Sequence, residues 1–198
     1  MGSKDSNPFL KARMSADIEG DFAVFITGMR INNFWKVHKW WPTFKSMAPI
    51  LIAVRSNPEL GLLDLHSYMY PRGAVMITYW RSIEHLERFA NNPEEPHKTA
   101  WRNFLSRVGT TGDVGIWHET YVIPAGHYEA VYTNIPFAAG LAAASRHVPV
   151  QEMGHTAVRR REAALRKAES APDREDVPAS DAGAVVAGAP PPATTAEG

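Results

Sequence analysis

Residues 21–31 read DFAVFITGMRI, and the fold follows from this stretch. It is apolar on both faces and rich in β-formers, the pattern of a buried central strand. The next segment has to cross over the sheet that this strand begins. Residues 32–41 read as a polar-aromatic loop, and Pro42 sits where a first helical position tolerates it. Phe44, Met47, Leu51 and Val54 then recur at spacings of 3, 4 and 3, which is one helix face. Pro49 is expected to kink or delay this helix, and Asn57-Pro58-Glu59-Leu60-Gly61 to end it.

Leu65–Tyr70 and Ala74–Trp80 flank Pro71-Arg72-Gly73, a hairpin signal. Ser82 can cap a second helix, with Glu84 in its first turn and Ile83, Leu86, Phe89 and Ala90 on its buried side. Asn91-Asn92-Pro93 interrupts that helix. It is expected to resume near Pro96 and to present His97, Trp101, Phe104, Leu105 and Val108 on one side. Val114–Ile123 is the longest late strand. His127–Thr133 is expected to pair back on it across Pro124-Ala125-Gly126, and Pro136–Arg146 to form a short Ala-rich helix.

The order is β-α-β-β-α-β with an added strand and helix. This is an α+β chain with an antiparallel, ferredoxin-like sheet. Helices then cover one sheet face. The other would leave a large apolar patch wet, and a second copy packed sheet to sheet is the expected cover, giving a homodimer.

All six Trp, six Tyr and eight Phe precede position 150. The expected division is a flexible N-terminus over 1–16, one domain over 17–150, and over 151–198 a charged helix followed by a disordered Ala/Pro/Gly-rich tail. The basic run Arg159-Arg160-Arg161 reads as a solvated helix face. Lys+Arg and Asp+Glu are balanced at 21 each, so no global charge favours nucleic acid. No apolar run reaches the roughly 20 residues of a membrane span. The absence of cysteine fits a reducing, cytoplasmic setting and excludes thiolate metal sites.

Histidines number eight, yet neither a His-x-x-x-His helix pair nor a His-Glu-x-x-His motif occurs. His118 and Glu119 are neighbours on a strand and point to opposite faces, so they cannot share an ion. A Gly-x-Ser-x-Gly elbow is absent, and Gly109-Thr110-Thr111-Gly112 lacks the lysine of a phosphate loop. Aromatic residues and histidines carry what chemistry remains. His97, Trp101 and Phe104 share a helix face, and Trp80 ends the strand before that helix. Trp117, Glu119 and Tyr121 share one face of the fourth strand, and Arg30 and Asn32 close the first. They are expected to converge on one aromatic cavity between sheet and helices, suited to an apolar ligand.

Gly28-Met29-Arg30-Ile31-Asn32, Tyr79-Trp80-Arg81-Ser82, His97 with Trp101, Gly115–Tyr121, Tyr128-Glu129 and Tyr132–Pro136 together resemble the fumagillin-biosynthesis monooxygenase-like family. That family is placed in the dimeric α/β-barrel superfamily. The resemblance covers about residues 17–150 and implies an oxidoreductase, a monooxygenase oxidising an apolar, conjugated polyene- or polyketide-like molecule. It implies either no cofactor or haem b. Without one, His97, His118 or Tyr121 is the base or proton donor, and Arg30 or Asn32 holds developing negative charge. Trp80, Trp101, Trp117, Phe104, Glu119 and Tyr128 line the substrate. With haem, His97 is the iron ligand, Trp80 and Trp101 pack on the porphyrin, and Arg30 meets a propionate, in an enzyme of aldoxime-dehydratase or haem-oxygenase-like type. A dimeric, non-catalytic module that binds a lipophilic metabolite is the remaining alternative.

Overall fold

A computed structural model describes residues 12–91, 106, 109 and 111–171. Its centre is strand β2 (Phe22–Ile31), and a short strand β1 (Arg13–Asp17) precedes it. Helices α1 (Val37–Lys45) and α2 (Met47–Ser56) follow. Then come the hairpin β3 (Leu62–Tyr70) and β4 (Gly73–Trp80), helix α3 (Ile83–Asn91) and strand β5 (Val114–Ile123).

The main sheet has the order β3-β4-β2-β5, antiparallel throughout. The α1–α2 connection carries the chain past β4 to the edge strand β3. The segment after α3 carries it past β2 to the other edge, β5. These two interleaved crossovers are the ferredoxin-like arrangement expected from element order.

Because the side-chain period of a strand is two, the register sorts the residues. Ala23, Phe25, Thr27, Met29 and Ile31 of β2 face the helices. Ala23 and Trp80 pack with Val54, Leu86 and Phe89. Met29, Ile31 and Val114 pack with Trp40 and Phe44 of α1. Phe22, Val24, Ile26, Gly28 and Arg30 face the other way, beside Val75, Ile77 and Tyr79 of β4.

One end of that second face is covered by the chain itself. Strands β6 (Tyr132–Thr133) and β7 (Arg146–Pro149) pair antiparallel on either side of β1 as a second, three-stranded sheet. Ala16, Leu141 and Ala142 pack there on Phe22, Val24, Tyr79, Tyr128 and Tyr132. Helix α4 (Val150–Met153) and helix α5 (Ala157–Ser170) close the outside, where Ala164 meets Val148 and Met153.

This layer corrects four expectations. Residues 13–16, assigned to a flexible N-terminus, form most of β1, whose backbone finds partners on both sides. Residues 127–131 do not return along β5. Gly126 has φ +76°, Asp21 Oδ1 accepts the Ala125 N–H at 2.7 Å, and the chain leaves the sheet plane. The Ala-rich segment 136–146 is no α-helix: a 3-10 turn over Gly140–Ala142 starts at φ +58° and buries Leu141 and Ala142. Helix propensity is weak enough for such burial to override it. The helix after Thr156 does form, but its basic run is not all solvated. Arg160 is buried, its guanidinium paired with Glu129 and donating to Gly154 O at 3.2 Å, and Lys167 reaches Asp17 at 2.7 Å.

The first crossover is also split. α1 begins before Pro42 and the helices break at Ser46. Pro49 then falls in the first turn of α2, where its missing N–H would have had no intrahelical acceptor. The disordered-tail assignment beyond 171 lies outside the described residues.

Candidate functional site around β5

Among the described residues β5 is an edge strand paired with β2, and side chains on both of its faces are exposed. On the helix-facing side Ile116, His118, Thr120 and Val122 are exposed. The imidazole of His118 lies 5.6 Å from the ring of Phe25, tilted by 37°. Its backbone partner is Thr27. His118 is therefore a solvent-accessible imidazole whose neighbours among the described residues of this face are apolar and hydroxyl side chains.

On the open side stand Trp117, Glu119 and Tyr121. The Trp117 indole lies over Gly28. Tyr121 donates its phenol proton to Glu119 Oε2 at 2.6 Å, and this bond to a carboxylate raises the Tyr121 pKa. Arg30, at the end of β2, shares this face and is exposed. The structure thus puts four candidates on one sheet face, Arg30, Trp117, Glu119 and Tyr121, of which Glu119 and Tyr121 are in contact.

It separates others from them. Trp80 is 2% exposed in the helix-side core, where it packs on Phe89 and donates its indole N–H to Thr78 Oγ1 at 2.7 Å. Trp80 and Trp117 are on opposite faces of the sheet, so no one cavity holds both. Asn32 ties a loop: its Nδ2 donates to Gly112 O at 2.9 Å. Tyr128 belongs to the packing between the two sheets, edge-on to Phe22, its hydroxyl accepting the Ile18 N–H at 3.0 Å. Burial there raises its pKa. His97, Trp101 and Phe104 lie outside the described residues.

One group on the open side was not singled out from sequence. Asp64, His66 and Tyr68 of β3 stand opposite Tyr79, Ile77 and Val75. His66 Nε2 lies 2.7 Å from Asp64 Oδ2 and also accepts the Gly140 N–H at 3.0 Å, so both neighbours claim one ring nitrogen. The Tyr79 hydroxyl is close by, its pKa pushed up to about 12, chiefly by burial and then by Tyr132, Tyr68 and Asp64. The signal was the i, i+2, i+4 spacing of Asp64, His66 and Tyr68, which puts three polar groups on one strand face.

The haem alternative can be tested on Trp80 and Arg30. One is sealed in the helix-side core and the other points from the opposite face. Trp80, sealed in that core, presents no face to a porphyrin, and His97, the ligand candidate, lies outside the described residues. Among the described residues no cluster of three His, Asp or Glu side chains is placed to hold a metal ion. No described helix is long and apolar enough to cross a membrane.

Comparison with known proteins identifies the family. The profile described as monooxygenase af470-like matches residues 22–141. Monooxygenase af470 of Aspergillus fumigatus is 29% identical over 129 residues, 59% of this chain and 44% of that protein. The chain therefore spans less than half the length of this curated relative. Among solved structures, SnoaB, a cofactor-independent oxygenase from Streptomyces nogalater, is 15% identical with a TM-score of 0.37, over 51% of this chain and 91% of that one. A dimeric ferredoxin-like protein of unknown function from Jannaschia sp. CCS1 is 14% identical with a TM-score of 0.34, over 48% of this chain and 97% of that one. The family match covers more than half of the sequence, and the chain belongs to the monooxygenase af470-like family.

Proposed function

We propose that this member of the monooxygenase af470-like family is a monooxygenase for an apolar, conjugated small molecule, bound on the helix-facing side of β5 with His118 as its base. The observation that carries this reading is His118 itself, an accessible imidazole against Phe25 with Ile116, Thr27 and Thr120 around it. Such a wall binds by apolar burial and leaves one proton acceptor at the reacting carbon. A methylene flanked by unsaturation reacts with dioxygen to give a ketone and water. Both C–H bonds of the methylene break, one oxygen atom becomes the carbonyl, and the other leaves as water with the two hydrogens. The substrate's own electrons reduce the oxygen, so the reaction requires no external reductant once a base has removed the first proton.

The experiment is oxygen uptake by the full chain with a polyene or polyphenol substrate, repeated on His118→Ala. A loss of roughly 10²–10⁴-fold in turnover with retained binding is expected. Unchanged turnover overturns the role of His118. Tight binding without turnover in the unaltered chain favours the binding-module alternative.

A second reading is favoured by the open face. There Glu119 holds the Tyr121 phenol at 2.6 Å, and Asp64 sits 2.7 Å from His66. If Glu119→Gln or His66→Gln abolishes turnover while His118→Ala does not, the chemistry belongs to that face.

A further inference from the structure

The turn that covers one end of the open face is tied to β3 by His66. Residues 138–142 read Ala-Ala-Gly-Leu-Ala, and Gly140 opens the 3-10 turn at φ +58°. That left-handed backbone favours glycine, and a Cβ there would lie 3.4 Å from the Tyr79 hydroxyl and 3.6 Å from that of Tyr132. The Gly140 N–H donates to His66 Nε2 at 3.0 Å. Leu141 and Ala142, the next two residues, pack on Phe22, Val24 and Tyr79.

Asp64 makes the opposite claim on the same nitrogen. Its Oδ2 is buried, lies 2.7 Å from Nε2, and has no donor unless that nitrogen carries a proton. A ring nitrogen holds either a lone pair for Gly140 or a proton for Asp64. Whichever neighbour loses is left as a buried polar group without a partner. The His66 side chain is 19% exposed, so a proton can reach it from solvent. The other titratable groups against the ring are phenols. Tyr68 of β3 stacks on it at 6.2 Å, and Tyr79 of β4 meets it edge-on at 6.4 Å. Burial raises the pKa of Tyr79 and of Tyr132 on β6, which keeps both neutral. Behind Tyr132, His147 of β7 packs edge-on at 5.6 Å, and burial lowers its pKa. Among these groups Asp64 is the carboxyl that faces the ring.

We propose that His66 is a proton-operated latch: as a neutral ring it holds the 140–142 turn on β3, and on protonation it bonds Asp64 instead and lets the turn go. Charge sets the direction. An imidazolium has no lone pair for Gly140 and gains a charge-assisted bond to Asp64. The turn covers Phe22, Val24 and Tyr79, so acid uncovers more of the apolar open face. The latch is read on the backbone, apart from any turnover at β5 or on the open face.

The test is amide hydrogen exchange of the full chain, followed by NMR at about pH 8 and pH 5.5, the range over which imidazoles take up a proton. Protection factors, which remove the intrinsic pH dependence of exchange, are expected to fall about tenfold or more over Gly140–Ala144 on acidification and to stay level in β2 and β4. His66→Gln keeps an acceptor for Gly140 and cannot titrate. It is expected to hold the turn equally at both pH values. Asp64→Asn removes the partner of the imidazolium and is expected to move the loss of protection to lower pH. Level protection in the unaltered chain overturns the proposal. So does a fall that persists in His66→Gln, which would place the switch at another group such as His147. A loss that does not move in Asp64→Asn overturns it as well, because that change leaves the contacts of the turn itself in place.

Discussion

The indole of Trp117 occupies the space that a side chain on Gly28 would need: a Cβ there would fall 2.4 Å from indole Cε2. Glycine at 28 is therefore what lets an aromatic plate lie on the central strand. Gly28→Ala is expected to displace Trp117 and to cost about 1–3 kcal/mol in urea denaturation, as overpacking does. In a Trp117→Ala background the same change is expected to cost far less. Equal costs in the two backgrounds would show that the contact does not govern the site.

The main sheet was legible because its signals are local. The doubly apolar run of β2, the Pro71-Arg72-Gly73 turn and the Val114–Ile123 run each declare their element within about ten residues. The second sheet was not. β1 has five residues and β6 two, and each exists only because a partner more than a hundred positions away supplies its hydrogen bonds. No pattern of periodicity reports that. The site was half legible for the same reason. Alternation correctly divides Trp117, Glu119 and Tyr121 from His118, but which face receives Trp80 depends on the β2–β4 register.

Arg160 is expected to hold α5 onto the second sheet. Its guanidinium is buried, paired with Glu129 and bonded to Gly154 O. Arg160→Ala removes the buried guanidinium and its packing while Glu129 can turn to water, and is expected to destabilise by about 1–3 kcal/mol. Arg160→Met, which keeps the packing, combined with Glu129→Gln is expected to recover part of that loss. Denaturant midpoints of the three chains decide the matter. A loss within error for Arg160→Ala would mean that α5 rests on Ala164 and its apolar neighbours alone.

Asp113 gives the fold an acid limit. The Lys36 ammonium, and then Thr111 and Asn33, hold its carboxyl below the ordinary carboxylate range. A folded pKa below the unfolded one contributes stability above the unfolded value, and this stability is lost as pH falls through the folded value. Denaturant midpoints are expected to decline below about pH 4 by less in Asp113→Asn than in the unaltered chain. Lys36→Met is expected to shrink the same acid limb. An unchanged decline in both variants would place the acid limit elsewhere.

The uncovered end of the open face makes the last prediction. Ile26, Gly28, Val75 and Ile77 form its floor, with Trp117, Tyr121 and Tyr68 half exposed around it. The chain's own second sheet reaches Phe22, Val24 and Tyr79 and stops there. An apolar floor of this kind, on the side of the sheet away from the helices, suits a second copy packed face to face, because each copy offers the other the same surface. Light scattering of the full chain at micromolar concentration is expected to give a dimer. Ile77→Lys puts an ammonium at the centre of the floor, where a monomer can still direct it to water but a paired sheet would bury it. That variant is expected to run as a folded monomer, with an unchanged circular dichroism spectrum. A monomeric unaltered chain, or a dimer that tolerates Ile77→Lys, would mean that the floor is left open for a ligand.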